Sequence, residues 1–144
     1  VPTVKNQTVE ILVYSDDANT RASIIAALGR RPSADGPFVT ITEVATEPAL
    51  TLALDASASR VGRGEQGISL IILDGEATPA GGMGIARAIK DEIFAAPKIL
   101  LVIGRSSDAW LASWSRADAV VNHPIDAILL AGAAARLLGR ADAN

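Results

Sequence analysis

Residues 70–84, "LIILDGEATPAGGMG", decide the fold. An apolar run, "ISLIILD" (68–74), ends abruptly at one carboxylate, Asp74, and a glycine-rich loop follows. A short run that is apolar on both faces reads as a strand covered on both sides, at the centre of a parallel sheet. The acid on its carboxyl end then has two readings. It braces the next element, or it stands at the mouth of a site.

Working outward, similar runs recur on either side: "VEILVY" (9–14), "FVTITEV" (38–44), "KILLVI" (98–103) and "AVVN" (119–122). Threonines alternate with apolar residues in "FVTITEV", which suits an edge strand. Helical patterns fill the gaps. "ANTRASIIAALG" (18–29) puts Ile24, Ile25 and Leu28 on one face and stops at Gly29. "EPALTLALDAS" (47–57) has Pro48 in its first turn, where a missing N–H is harmless. "MGIARAIKDEIF" (83–94) repeats Ile85, Ile89 and Ile93 as one buried stripe. "SSDAWLASWSRA" (106–117) reads as a shorter helix capped by Ser106 or Ser107, and "DAILLAGAAARLLG" (126–139) as a last helix from Asp126 to Gly139, with "RADAN" beyond it a frayed tail. "RRPSADGP" (30–37) and "SRVGRGEQG" (59–67) read as surface loops.

Strand and helix thus alternate five times, which predicts an α/β fold: a doubly wound parallel sheet of five strands with helices on both faces. The 144 residues suffice for one domain, with a core expected over 9–139. Apolar residues make up 49% and charged residues 20%, a globular composition. The net charge of −3 and the lack of a basic run argue against a nucleic-acid partner. With no cysteine, disulfides, zinc–thiolate sites and thiol catalysis are excluded. No apolar run approaches the roughly 20 residues of a membrane span. The N-terminal "VPTVKNQT" lacks the order of a signal peptide, so the cytoplasm is the expected compartment.

In a doubly wound fold, ligands bind outside the carboxyl ends of the strands, at the topological switch point. Ser15, Asp16 and Asp17 follow the first strand, Asp74 ends the third, and His123 follows the fifth. Each has a plain structural reading beside this one. Asp74 bonds the glycine-rich loop or caps the helix after it, one of the Ser15–Asp17 cluster caps the first helix, and His123 shapes a turn before Pro124.

Together, "VYSDDANTR", "LIILDGEATPAGGMG", "LLVIGRSSD" and "ADAVVNHPID" resemble, in order and spacing, the receiver domain of two-component response regulators. The resemblance runs from about Val9 to Leu138 and implies a CheY-like, flavodoxin-like sheet of order 2-1-3-4-5. It further implies a phospho-accepting aspartate at Asp74 and a Mg²⁺ held by Asp16, Asp74 and the Glu76 backbone carbonyl, with Asp17 as a looser third acid. A cis His123–Pro124 bond is implied as well. The departures are equally specific. Ser15 stands where the first acid of the pair belongs, Ile103 where a Thr or Ser hydroxyl belongs, His123 where the lysine belongs, and Val120 where many receivers carry a switching aromatic.

Phosphoryl transfer to an aspartate needs a nucleophile, a cation, and groups that neutralise the other phosphoryl oxygens. Histidine is shorter than lysine and mostly neutral at pH 7, and isoleucine donates nothing. The expected protein is therefore an atypical single-domain receiver with a degenerate phosphorylation site and weak or absent Mg²⁺ binding. It would act by binding proteins, with a sensor histidine kinase and a second copy of itself among the candidate partners. Trp110 and Trp114, at i and i+4, supply one core residue and one exposed anchor for such contacts. A conventional phosphorelay receiver is the alternative. A small nucleotide-binding protein or enzyme using "GGMG" is the rival from another class, but that fragment lacks the full glycine fingerprint and no nucleophile–base pair is evident.

Overall fold

The structure is a computed structural model that describes residues 8–77, 81–93, 96–104 and 113–143. Five strands, β1 (Thr8–Tyr14), β2 (Phe38–Val44), β3 (Ile68–Asp74), β4 (Lys98–Ile103) and β5 (Ala119–Asn122), alternate with four described helices. These are α1 (Ala18–Leu28), α2 (Glu47–Gly62), α3 (Gly82–Glu92) and α4 (Ala127–Ala143). All strand pairs are parallel, and the sheet order is β2-β1-β3-β4-β5.

The period-2 alternation of strand side chains divides the apolar residues between two layers. Leu12, Tyr14, Ile71, Leu73, Leu101 and Ile103 point to one face and pack with Leu50, Ile85 and Ile89 of α2 and α3. Ile11, Val13, Leu70, Ile72, Leu100 and Val102 point to the other and pack with Ile24 and Leu28 of α1 and with Leu130, Leu137 and Leu138 of α4. Nearly every side chain of β3 and β4 is buried, because helices cover both faces, whereas β2 lies at the edge with its threonines half-exposed or exposed.

Local chemistry starts and ends the helices. Asp17 caps α1, its carboxylate accepting from the Asn19 N–H, and Gly29 ends it. Thr46 caps α2, with Pro48 in the first turn. Asp126 caps α4 through the Leu129 N–H.

Three boundaries differ from expectation. The 59–67 segment is not all loop: α2 continues to Gly62, held there by Arg60, whose guanidinium reaches Glu10 at 2.6 Å and the Gln66 carbonyl at 3.2 Å. Ile93 leaves the buried stripe of α3 because it is the C-cap in extended backbone, 38% exposed. Gly139 does not end the last helix, which continues through residues 140–143 of the expected tail. Leu137 and Leu138 anchor this turn in the core, which offsets the roughly 1 kcal/mol that a mid-helix glycine costs. The helix expected over 106–117 lies mostly outside the described residues, together with Ser106, Ser107 and Trp110.

Candidate functional site

Strand register brings the site together. Tyr14 pairs with Leu73 and Asp74 with Val102, so Ser15 and Asp74 emerge side by side at the switch between β1 and β3. His123 follows Asn122, the partner of Ile103 at the end of β4. Its N–H donates to the Ile103 carbonyl at 2.8 Å, and the His123–Pro124 bond is cis.

The loop after Asp74 is glycine-rich because backbones meet there. A Cβ on Gly82, at the start of α3, would lie 2.6 Å from the Asp74 carbonyl oxygen, and one on Gly75 would lie 2.8 Å from that of Val102. Packing, and not a phosphate cradle, accounts for Gly82. The Glu76 side chain lies over Gly104 at the end of β4, where a Cβ would meet Oε1 at 2.6 Å.

Asp74 is 3% exposed and its carboxylate is surrounded by donors. The Ser15 hydroxyl donates to Oδ2 at 2.7 Å, and the Glu76 N–H donates to Oδ1 at 2.8 Å. His123 Nε2 lies 3.3 Å from Oδ1 and donates when it carries a proton. Asp74 therefore braces the loop through the Glu76 N–H, and His123 stands beside it at the strand ends. Ser15 is itself fully buried and fixed at each polar atom. Its Oγ accepts from the Asp17 N–H at 3.1 Å, its N–H donates to the Val44 carbonyl, and its carbonyl accepts from Arg21 at 2.7 Å. Ile103 is buried at the end of β4 and brings no polar group.

Asp16 is exposed. It follows Ser15 at the end of β1, two residues beyond Tyr14. The Tyr14 phenol ionises above its ordinary value of 10.0, first because it is buried and then because Glu47, Asp16 and Asp74 are near. Asp17 turns away from the cleft: besides the Asn19 N–H, it accepts from the Thr20 hydroxyl at 3.2 Å.

A magnesium ion prefers six oxygens in near-ideal octahedral geometry. The residues that would hold it are Asp16, Asp74 and the Glu76 carbonyl, while Ser15 brings a hydroxyl and Asp17 caps α1. Among the described residues, no three Asp, Glu or His side chains gather as a metal-holding group.

Two surface features complete the picture. Trp114 is 46% exposed and is held against α3: the Arg87 guanidinium lies 5.4 Å from its ring centroid and donates to its carbonyl at 2.9 Å. Arg87 and Arg116 both pair with Asp91, which holds that carboxyl below the usual carboxylate range. Between β5 and α4 runs a groove of about 380 Å³, lined by the exposed side chains Val120, Ile128 and Leu129 among others. The groove was missed from the sequence, although the signal was there. Leu130, Ala133, Ala134, Leu137 and Leu138 complete the buried stripe of α4 and leave Ile128 and Leu129 off it.

Comparison with known proteins places this geometry. No family model matches the chain. An uncharacterised response regulatory protein of Mycobacterium tuberculosis is 52% identical over 122 residues, covering 85% of each chain. Among solved structures, the signal receiver domain of a histidine kinase from Syntrophus aciditrophicus superposes with a TM-score of 0.73 at 18% identity, covering 94% of each chain. The receiver domain of the TMAO respiratory response regulator TorR gives 0.69 at 23% identity, over 92% of this chain and 98% of that one. A chemotaxis response regulator of Vibrio cholerae gives 0.68 at 17%, over 92% and 100%. The strand order, the register that joins Ser15 to Asp74, and a half-identical response regulatory relative lead to one conclusion: the chain belongs to the response regulators of two-component signalling, and its sheet is their receiver fold.

Proposed function

We propose that this receiver signals chiefly through protein contact, and that its aspartate cleft is a hydrogen-bonded brace with a degenerate phosphorylation site. The observation that carries the reading is the state of Asp74. An in-line attack on phosphorus needs an accessible carboxylate oxygen and positive or hydrogen-bonding groups around the developing charge, and Asp74 is 3% exposed. Ser15 donates to one oxygen of Asp74, Glu76 to the other, and Ile103 brings no donor for a phosphoryl group. Among the described residues, the only basic side chain within ion-pair distance of Asp74 is His123, an imidazole where the family's lysine would stand. Magnesium binds this cleft weakly at most, because one of the expected acids is a hydroxyl.

Protein contact falls to the surface instead. Val120, Ile128 and Leu129 form an apolar wall along one groove, and Trp114 stands exposed over Arg87. Aromatic and aliphatic groups of this kind supply the anchors of protein interfaces. A sensor histidine kinase is one candidate partner and a second copy of the chain is another. The ordinary phosphorelay reading rests on Asp74 and His123 sharing one cleft, and the same experiment separates the two. Tagged wild type, Asp74→Asn and Leu129→Asp are expressed in the native host, and the proteins that co-purify are quantified. Asp74→Asn should retain the wild-type partners and Leu129→Asp should lose them. Partners lost on Asp74→Asn and kept on Leu129→Asp would return the protein to the ordinary phosphorelay.

A further inference from the structure

Residues 113–118 lead into β5, and little apolar surface holds them. Ser115 is buried but small and polar, Ala117 packs against the core with one methyl group, and Trp114 stands half in solvent. Charged groups of α3 hold the segment instead. Arg87, Lys90 and Asp91 lie at i, i+3 and i+4, on one face of that helix. Arg87 donates to the Trp114 carbonyl at 2.9 Å, lies over the Trp114 ring, and donates to Asp91 at 2.8 Å. The other oxygen of Asp91 accepts from Arg116 at 2.6 Å, and Lys90 donates to Asp118 at 2.7 Å. Asp118 is in turn tied to β4, where it accepts from the Ile99 N–H at 2.8 Å. We propose that these groups form a charge latch, by which α3 holds the entry to β5, and with it the pose of Trp114, in one conformation. The inference rests on the protein-contact reading above and names what keeps the exposed tryptophan in place.

Two observations separate a latch from ordinary surface pairing. The first is the backbone of Arg116, whose φ of 66° lies in the left-handed region that suits glycine and strains other residues. The backbone gives no reason for an arginine at this turn. Its bond to Asp91 supplies one. The second observation is sharing. A lone exposed ion pair contributes little. Here one carboxylate joins two guanidinium groups from different segments, one of them over an aromatic ring, so losing Asp91 undoes both contacts at once. The Lys90–Asp118 pair is more enclosed, with side chains 15% and 22% exposed, and salt screens it less. The latch thus has a salt-sensitive outer part at Asp91 and a salt-resistant inner part at Asp118.

Hydrogen exchange of the full chain, followed by NMR and expressed as protection factors, tests the latch. The outer part is read at the Ala117 amide, which donates to Ser115 Oγ at 3.2 Å, and the inner part at the Asp118 amide, which donates to the Ile99 carbonyl at 2.9 Å. The Ile72 amide of β3 reports global opening. Asp91→Ala should lower protection at Ala117 by about fivefold or more and leave Ile72 unchanged. Arg116→Gly should do the same, although it relaxes the backbone. Wild type in about 1 M NaCl should approach Asp91→Ala at Ala117 and keep its protection at Asp118. If Arg116→Gly is as protected as wild type, the turn and not the guanidinium holds the segment, and the latch is overturned. Undiminished protection in Asp91→Ala overturns it too, as does a loss at Ile72 as large as that at Ala117, since the network would then serve global stability alone. Exchange is read on the isolated chain and partner binding by co-purification, so the two readings fail separately.

Discussion

The cleft at the carboxyl ends of β1, β3 and β5 and the groove between β5 and α4 are built on opposite terms. In the cleft, Ser15 and Asp74 are buried and bonded to each other, and the Glu76 N–H and the half-buried His123 ring close on Asp74 from outside. In the groove, apolar groups face solvent, with Ile128 84% and Leu129 64% exposed. Buried polar groups satisfied from within rigidify a structure, whereas exposed apolar groups in a concave surface await a partner. On the proposed reading, the first region carries stability and the second carries recognition. The degenerate-site proposal rests on this contrast: Ile103 brings no hydroxyl to the end of β4, and the Ser15 hydroxyl is spent on Asp74.

The contrast breaks most sharply by overfilling the cleft. Gly82→Ala would press a methyl group into the Asp74 backbone at 2.6 Å, against main-chain atoms that cannot step aside. A loss of about 3 kcal/mol is expected, the upper end for an overpacked site, read by urea denaturation. A loss under about 0.5 kcal/mol would show that the start of α3 is free to shift, and that the cleft is not rigid.

The groove should respond in the opposite way. Leu129→Asp should leave stability within about 0.5 kcal/mol of wild type, as exposed substitutions do. It should nonetheless weaken partner binding by about 2 kcal/mol or more, the size of a hot-spot loss. A variant that unfolds while keeping its partners would reverse the assignment of the two regions.

The smallest effect sharpens the electrostatics beneath the cleft. Tyr14 ionises less readily in the folded chain than its ordinary value of 10.0, through burial and then the carboxylates of Glu47, Asp16 and Asp74. The folded state therefore holds this proton more tightly than the unfolded state. That contribution is complete below the unfolded value and is lost as pH rises through the folded one. Denaturation midpoints measured between about pH 8 and about pH 11 should fall more steeply for wild type than for Tyr14→Phe. Equal slopes would mean that Tyr14 does not sense the acids.

Most of the architecture was legible because it follows from periodicity. "ISLIILD" and "KILLVI" carry apolar residues on both faces, so their central place and the parallel order follow from short strands alternating with helices. The site positions were legible for the same reason, since strand ends are set by where the apolar runs stop. The partners of each side chain were not. That Asp17 caps α1 while Ser15 donates to Asp74 depends on rotamers and strand register, and three adjacent polar residues leave that choice open. Gly139 misled because a glycine near a helix end usually stops it, and here the leucines before it hold the turn in the core. Arg87 carried no visible signal, since its partners Trp114 and Asp91 meet only through the tertiary fold and an exposed helix pair.

The most direct measurement is the intact mass of the purified protein after incubation with acetyl phosphate and Mg²⁺. If the cleft is the hydrogen-bonded brace proposed above, wild type should keep its unmodified mass, as Asp74→Asn does. A phosphoryl adduct that forms on wild type and is absent from Asp74→Asn would contradict the account, since Asp74 would then be a working acceptor.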